Sequence, residues 1–285
     1  MFPSHGFGSF CSSGPASRAS SSTIGEQLAS NHALTDPDED HFVQELMANL
    51  TAYPSYYAHM GVTNAAGPGP ADLTVPESLD AAELMHRLED GEWVVDLRRR
   101  VAFASNHLLG SVSFEYGTSF STYLGWILPW GKQLTLVGSR VDVEKAIRDL
   151  SRIGIESPDA ALGTDPHALA PRAALASYPR VGWDGVLAGR APGDVVVDVR
   201  RAEEYAAARV AGAVNVPLHE LLRRLDCIPA GKLWVHCTSG YRAGTAASLL
   251  QRAGRDVVHI DAKFDDAGPA GIPVDDAPVP AGPPA

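Results

Sequence analysis

The sequence contains few cysteines, few basic residues and no long hydrophobic run, and each shortage excludes a class of protein. Three cysteines among 285 residues are too few, and too odd in number, for a disulfide framework, so we expect a reducing, cytoplasmic location. The 23 lysines and arginines stand against 34 aspartates and glutamates, and a net charge of −11 argues against a nucleic-acid partner. No apolar run approaches the ~18 residues of a transmembrane helix. The first residues also lack the basic and apolar pattern of a secretory signal, so we expect no membrane partner.

The residues that are present favour an α/β fold. Hydrophobic residues make up 45% of the chain, enough for real cores, and its length suggests about two domains at roughly 150 residues each. Short apolar strands alternate with helices over residues 71–160 and again over residues 178–266. This order predicts, in each stretch, a parallel sheet flanked by helices on both faces. We expect residues 1–70 to be a mostly irregular or helical appendage with a linker, and the proline-rich residues 267–285 to be a disordered tail.

The two α/β stretches are predicted to be copies of one unit. Residues 94–99 (Val-Val-Asp-Leu-Arg-Arg) align without gaps with residues 196–201 (Val-Val-Asp-Val-Arg-Arg), an offset of 102 residues from 94 to 196. The match continues through the glycine pair Gly110 and Gly212. A duplication is the simplest account of two such similar segments.

One loop in the second stretch is predicted to carry cysteine chemistry. Residues 233–236 form a buried strand and a helix begins near Arg242, so Cys237 lies at the carboxyl end of a parallel strand, where open α/β sheets bind ligands. Loop N–H groups and the positive end of the helix would stabilise a thiolate on Cys237. Gly240 permits torsions that a side chain would forbid, and Arg242 adds a planar donor fork for an anion.

Four ordered motifs of residues 178–266 resemble the rhodanese (sulfurtransferase) domain. They are Asp198-Val-Arg200, Glu204-Tyr205, residues 212–217 (Gly-Ala-Val-Asn-Val-Pro) and the loop Cys237-x-x-Gly-x-Arg242. The resemblance implies that a sulfane sulfur passes from a donor such as thiosulfate or a persulfide to a thiol or to cyanide. It implies no cofactor, and its partners would be small sulfur donors and thiol acceptors, with a protein as one option for the acceptor.

The same resemblance implies roles for individual residues. Cys237 would be the nucleophile, Arg242 would serve catalysis and donor binding, and Asp198 would brace the loop from the neighbouring strand end. The cradle for the persulfide and the donor anion would consist of Thr238, Ser239, Gly240, Tyr241 and Arg242. Apart from the resemblance, His236 is expected to be a core histidine and Cys227 an inert thiol.

Two other functions stay open on the sequence. A cysteine phosphatase or arsenate reductase uses a similar loop, but its ring encloses one residue more than the four between Cys237 and Arg242. The narrower ring suits a single terminal sulfur better than a phosphate ester. The other alternative is a non-catalytic module that binds a persulfide, and the presence of Cys237, Gly240 and Arg242 together argues against it.

The first stretch is expected to be catalytically inactive. It contains no cysteine, and at the loop position it has Gly138, with Asp142 opposite Arg242. An acidic group there would repel an anionic donor. We expect residues 71–160 to pack against the active domain, as in rhodaneses with tandem domains, and residues 98–100 (Arg-Arg-Arg) to be a solvated basic face.

The front segment resembles the C-terminal end of a metallo-β-lactamase-fold domain. In particular, it is similar to persulfide-dioxygenase-like proteins that carry rhodanese repeats, on the evidence of residues 2–11, 21–25 and 31–34. The His-x-His-x-Asp-His run that binds metal in that family is absent from the sequence, and His5 alone cannot hold a catalytic ion. We therefore expect the remnant, or the truncated product, of such a fusion, with no metal.

Overall fold

Alternating strands and helices build two parallel sheets, as the sequence pattern predicts. A computed structural model describes residues 21–48, 53–67, 69–171 and 174–275. The chain divides into two compact units, Met1–Pro54 and Ser55–Ala285, and both sheets belong to the second unit. Within the described residues of the first unit the structure is helical: α1 (Ile24–Ser30), α2 (His32–Thr35) and α3 (Glu39–Ala48).

The second unit begins with a helix and continues through the two sheet regions. The first region comprises α4 (Tyr57–Ala66), α5 (Ala81–Glu89), β1 (Trp93–Asp96), α6 (Arg100–Ser105), β2 (His107–Leu108), β3 (Val112–Ser113), α7 (Phe120–Ile127), β4 (Leu134–Gly138), α8 (Arg140–Ser151) and β5 (Asp159–Leu162). The connection contains α9 (Pro166–Leu169) and β6 (Leu175–Ala176). The second region comprises β7 (Arg180–Val181), α10 (Trp183–Gly189), β8 (Val195–Asp198), α11 (Ala202–Ala207), β9 (Arg209–Val210), β10 (Val214–Asn215), β11 (Leu233–His236), α12 (Tyr241–Arg252), β12 (Val257–Ile260) and β13 (Val274–Asp275).

The two main sheets have the same strand order. The first region orders its strands β3-β1-β4-β5, and the second orders them β10-β8-β11-β12 with β7 added at the edge. All neighbouring strands within these two sheets are parallel. Two short antiparallel pairs, β2 with β6 and β13 with β9, lie outside them.

A single hydrophobic core joins the two sheets. It takes Val95 and Leu136 from one face of the first sheet and Val197 and Val235 from one face of the second, with α7, α8 and α12 supplying further buried side chains. The opposite faces have cores of their own, closed by α5 on the first sheet and by α10 on the second. Both sheets are therefore covered by helices on both faces, as predicted, and the shared core makes the two regions one body.

The same arrangement of charged side chains recurs at the end of β1 and of β8, which hold equivalent places in the two sheets. In the first region, Asp96 accepts from the backbone N–H and the guanidinium of Arg98, with distances of 2.9 Å from the amide nitrogen and 2.6 Å from Nη2. Asp198 accepts from Arg200 with the same two distances. In both, Nη2 also donates to a backbone carbonyl eight residues along the chain. The offset of 102 residues thus relates equivalent places in the two sheets.

Two sequence-based boundaries differ from the structure. The sequence groups residues 55–67 with the front appendage, but they belong to the unit that holds the sheets. The Ser55 hydroxyl donates to the carbonyls of Gly125 (3.2 Å) and Leu128 (3.1 Å), and the His59 ring stacks on Trp130 with centroids 4.4 Å apart. The sequence pattern misses this attachment because the anchors are single side chains, which leave no periodic signal.

The prediction of a disordered tail from residue 267 is wrong for residues 267–275. Ala267 and Ile272 are buried in the outer core of the second sheet, and β13 pairs with β9. The apolar residues between the prolines bury enough surface to order this segment, and the Pro273 carbonyl accepts the Ala211 N–H at 2.9 Å. Residues 276–285 lie outside the described residues, as do residues 2–11 with His5 and Cys11.

Candidate active site

The cysteine loop lies at the carboxyl edge of the second sheet. Strand β11 ends at His236 and α12 begins at Tyr241, so Cys237 is the first residue of a four-residue connection that ends with Gly240. Cys237 is buried, and its Sγ accepts the N–H of Gly240 at 3.2 Å. An N–H donor aimed at the sulfur stabilises a thiolate more than a thiol, because the negative charge strengthens the hydrogen bond. The structure therefore brings together the two residues on which the predicted nest depends.

Gly240 occupies a position where any side chain would be strained and would clash with Asp261. Its φ of 89° lies in the left-handed region, and a Cβ at this position would overlap Oδ1 of Asp261. His259 Nε2 donates to the Gly240 carbonyl at 2.8 Å. Gly240, the residue whose N–H faces the cysteine, is thus held on its other sides by His259 of β12 and by Asp261, which follows this strand.

Arg242 is paired with a carboxylate, and this differs from the open anion fork expected from the sequence. Its Nη1 donates to Glu204 Oε2 at 2.6 Å, and its Nη2 donates to Glu204 Oε1 at 2.8 Å and to the Thr238 hydroxyl at 2.7 Å. Three of the five guanidinium N–H groups are used in this way. Any donor anion would therefore meet an arginine whose charge is already largely compensated.

Glu204 is the site residue that sequence reasoning missed. Burial opposes its ionisation, but the hydrogen bonds and the charge of Arg242, with bonds from Thr238 and Arg201, outweigh burial and lower the pKa of Glu204 to about 2. Burial likewise opposes the charge on Arg242, but its bonds to Glu204 and the negative charges around it outweigh burial and raise its pKa. The Glu204-Tyr205 motif was the available signal, but its partner 38 residues along the chain appears only in the fold.

The structure pairs the Asp198 carboxylate with Arg200, and the expected role of Asp198 as a brace for the loop stays a prediction. Its carboxylate, which is fully buried, accepts from the backbone N–H, Nε and Nη2 of Arg200. Arg200 in turn lies 3.6 Å from the centroid of the Phe264 ring. Asp198 therefore fixes Arg200 and the end of β8, and it approaches the loop through the pairing of β8 with β11 and through His236, the residue before Cys237.

The remaining cradle residues lie on different sides of the cysteine. Thr238 and Ser239 are exposed, and the Thr238 hydroxyl donates to Glu204 Oε1 at 2.7 Å. The hydroxyl of Tyr241 instead points to the first region, where it donates to the Glu115 carbonyl at 2.9 Å. The Tyr123 ring of α7 packs beside the Tyr241 ring, with centroids 5.5 Å apart. The first region thus forms one wall beside the loop.

His236 is a core histidine, as expected. It is fully buried between Trp183 and Phe264, and its Nε2 lies 3.5 Å from Asp198 Oδ2. Burial lowers the pKa of His236, so the ring is neutral at physiological pH. Cys227 is an exposed free thiol at the end of a short 3₁₀ helix.

The first region does not form a comparable cradle. Strand β4 extends through Gly138, the position in the first region that is equivalent to Cys237. Helix α8 begins at Arg140, so only Ser139 connects the strand and the helix. Ser139 caps the helix, and its hydroxyl donates to Asp142 Oδ2 at 2.7 Å. The expectation of a solvated basic face at residues 98–100 is wrong for Arg98 and Arg100, because both guanidinium groups are paired with carboxylates.

The described residues provide no obvious metal site or membrane span. Among them, no group of three or more histidines, cysteines, aspartates or glutamates is arranged to hold a metal ion. Within the same residues, every helix is too short or too polar to cross a bilayer.

Comparison with known proteins identifies the class of the second region. The family model described as the rhodanese-like domain matches residues 186–266. This part of the chain is therefore a rhodanese-like domain, which confirms the resemblance read from its motifs. A curated relative, an HTH-type transcriptional regulator of Mycobacterium tuberculosis, is 37% identical over 99 residues, which are 33% of this chain and 44% of the relative. The chain thus spans less than half the length of that relative.

Solved structures of two kinds are similar to this chain. A rhodanese-related protein from Thermoplasma volcanium has 23% identity, with 34% of this chain and 98% of that chain covered and a TM-score of 0.32. Reduced CoADR-RHD of Bacillus anthracis has 28% identity, with coverage of 33% and 17% and a TM-score of 0.29. A metallo-beta-lactamase from Staphylococcus aureus has 25% identity, with coverage of 57% and 45% and a TM-score of 0.46.

Proposed function

We propose that this protein is a sulfurtransferase in which Cys237 carries a sulfane sulfur as a persulfide. The observation that carries the proposal is the hydrogen bond from the Gly240 N–H to Cys237 Sγ, at the carboxyl end of a parallel strand in a rhodanese-like domain. A backbone N–H that donates to a buried cysteine sulfur stabilises the thiolate, which is the form that acts as a nucleophile. The cytoplasmic location and the thiol or protein acceptor are parts of the same proposal.

The reaction would proceed in two balanced steps. The Cys237 thiolate attacks the outer sulfur of thiosulfate, a new S–S bond forms, and sulfite leaves with the electron pair of the bond that breaks. An acceptor thiolate, or cyanide, then attacks the terminal sulfur of the persulfide, and Cys237 leaves as a thiolate. The Gly240 N–H stabilises Cys237 at the start and at the end of this cycle.

The paired Arg242 favours donors of low charge. With Glu204 bound to its guanidinium, the two groups together are nearly neutral, so a dianion gains little from them. An organic persulfide, which carries the transferable sulfur with less charge, fits this cradle better than thiosulfate, and a phosphate ester fits it least. Asp142 and the missing cradle support the proposal that the first region is an inactive second copy of the rhodanese-like unit.

The test is the mass of the intact protein after incubation with thiosulfate or with a small organic persulfide. We expect one added sulfur atom on the wild-type protein and none on Cys237→Ser. The matched control is Cys227→Ser, which removes the exposed thiol and should keep the adduct. A sulfur that stays on the Cys237→Ser protein would refute the proposal.

A second candidate is a module that binds a persulfide without turning it over. The similarity to a transcriptional regulator favours it, because that relative, 37% identical over 99 residues, is named for regulation. The same experiment separates the two functions once an acceptor thiol is added. Release of the sulfur over many cycles supports the enzyme, whereas a stable adduct that each protein molecule forms once supports the module.

A further inference from the structure

A side chain from the first region binds the carboxylate that packs against the cysteine loop. Arg100, the first residue of α6, donates from Nε to Asp261 Oδ1 at 2.9 Å and from Nη1 to Glu115 Oε2 at 2.7 Å. Asp261, which follows β12 in the second region, also accepts from Arg180 Nη1 at 3.0 Å through its other oxygen. Its side chain is 7% exposed, so this carboxylate is a buried charge held by two arginines.

Asp261 is in turn packed against the residue that faces Cys237. Its Oδ1 occupies the space that a Cβ of Gly240 would need, and Gly240 donates its N–H to Cys237 Sγ at 3.2 Å. Contacts therefore run without a gap from Arg100 through Asp261 and Gly240 to the cysteine sulfur. A second route uses Glu115, whose carboxylate binds Arg100 and whose carbonyl accepts the Tyr241 hydroxyl at 2.9 Å.

Close packing along α12 brings Arg100 to this position. A Cβ at Gly244 would lie 3.2 Å from Arg100 Cβ and 3.2 Å from His259 Cε1, so the glycine leaves the room that both side chains use. The Tyr178 hydroxyl donates to the Gly244 carbonyl at 3.3 Å on the same side. The first turns of α12, which follow directly on the loop, are thus held from the first region as well as from their own sheet.

We propose that Arg100 is a positioning residue for Cys237: it compensates the charge of Asp261 and holds this side chain against Gly240, so that the Gly240 N–H stays aimed at the sulfur. The proposal rests on the proposed function in one respect, namely that Cys237 is the nucleophile. It gives the first region a role in the activity of the second although the first region has no cysteine of its own.

Several charged or titratable groups face this peptide and must be considered together. They are His259 and Asp261 from the β12 side, Arg180 from β7, Arg100 and Glu115 from the first region, Tyr241 and Arg242 from α12, and Glu204 from α11. Loss of Arg100 leaves Asp261 with Arg180 as its cation, and an incompletely compensated carboxylate beside Gly240 disfavours a thiolate nearby.

The experiment compares Arg100→Ala with Arg99→Ala in the full chain. Arg99 is the neighbouring arginine, its side chain is 79% exposed, and its distance to Glu115 is 3.8 Å, so it controls for the loss of one positive charge at this place. The readout is the rate at which iodoacetamide alkylates Cys237 across a pH series, with peptide mapping. We expect Arg100→Ala to slow alkylation roughly tenfold near pH 6 and to move the profile to higher pH, because one oriented hydrogen bond to a charged atom is weakened.

The control and a conservative variant decide the outcome. Arg99→Ala should keep the wild-type profile, and Arg100→Lys, which supplies one cation without the planar fork that binds Asp261 and Glu115 from separate nitrogens, should give an intermediate profile. A purely structural role would lower the urea midpoint of unfolding and leave the profile in place. If Arg100→Ala does not fold, the profile of Arg100→Lys decides alone, and coincidence with the wild type overturns the proposal.

The test separates this proposal from the proposed function. Alkylation requires no sulfur donor, so the profile reports on Arg100 even if no variant takes sulfur from thiosulfate or a persulfide. A shifted profile without a sulfur adduct would refute sulfur transfer and support the positioning role. A sulfur adduct with coincident profiles would refute the positioning role and support sulfur transfer.

Discussion

At the scale of single residues, the site is built from pairs in which one partner was visible in the sequence and the other was not. Cys237, Gly240 and Arg242 stand out by their spacing, whereas Glu204, His259 and Asp261 act through contacts made across the fold. Arg242 differs from the open anion fork expected from the sequence because Glu204 binds its guanidinium. A guanidinium bound to a carboxylate is a weaker anion receptor than a free one, because the two charges largely cancel at a distance.

His259 provides a prediction at this scale, because it binds the Gly240 carbonyl while it is neutral. Burial lowers its pKa from 6.5 to about 4. As the pH falls, the unfolded chain takes up a proton near pH 6.5 and the folded protein does so only near pH 4. This contribution to stability is therefore complete above pH 6.5 and is lost between pH 6.5 and pH 4.

The variant His259→Gln keeps an N–H donor but does not titrate. Between pH 7 and pH 4, we expect the unfolding free energy of the wild type to fall by about 3 kcal/mol more than that of the variant. Urea unfolding at a series of pH values measures this difference. Parallel curves for the two proteins would contradict the assigned protonation state.

At the scale of elements, the junction between β11 and α12 decides whether a cradle exists. Four residues separate His236 from the first residue of α12, and the last of them, Gly240, has a φ of 89°. The equivalent junction in the first region has Ser139 alone between β4 and α8. Because α8 begins so soon after β4, its first N–H groups point along the helix axis. No loop residues remain whose N–H groups could surround the end of the strand.

Two glycines at opposite ends of α12 form a matched pair for a second prediction. Gly254 has a φ of 79° and open space where a Cβ would lie, so Gly254→Ala should cost only backbone strain, about 1 kcal/mol of unfolding free energy. Gly240→Ala adds a clash with Asp261 and displaces the N–H from the cysteine sulfur. We expect it to lose more stability and, in addition, the fast alkylation of Cys237.

Urea unfolding and iodoacetamide labelling of both variants measure these two effects. Gly254→Ala should label like the wild type. If Cys237 in Gly240→Ala were labelled as fast as in the wild type, the reactivity of the cysteine would not depend on the φ of Gly240.

At the scale of the whole molecule, one core unites the two sheets and lets one region support the other. The Ser248 hydroxyl of α12 accepts the Ser113 N–H of β3 at 2.9 Å, and Arg100 and Glu115 reach the loop from the same side. The first region is thereby tied to the helix that follows the cysteine. This arrangement fits a region that has no comparable cradle and supplies a packing surface to the other region.

The proposed inactivity of the first region gives a prediction at this scale. In a Cys237→Ser background, Gly138→Cys places a thiol at the equivalent strand end, but no loop amide faces its sulfur and Asp142 lies in the first turn of α8. We expect no sulfur adduct after incubation with thiosulfate or a persulfide, as judged by intact mass. An adduct on the Gly138→Cys protein, mapped to this strand end, would mean that the strand end alone suffices and that the cradle is dispensable.

The sequence by itself determined the fold class, the place of the cysteine loop and most element positions. Apolar runs such as residues 93–95 and 233–235 can be buried on both faces only in a sheet covered by helices, so local pattern and fold agree. The motif spacing also identified the rhodanese-like domain, because Cys237 and Gly240 act within one short loop where sequence distance and spatial distance coincide.

Only the tertiary structure decided which charges meet at the site and which segments join the body. Arg242 and Glu204 are 38 positions apart, and Arg100 and Asp261 are 161 apart. Ile272 lies among prolines and becomes buried only against the outer core of the second sheet. Such contacts have no local signature, because a charged or apolar residue carries the same side chain whichever partner the fold supplies. Local preferences set the strands and helices, and the packing of distant elements set the electrostatics of the cysteine.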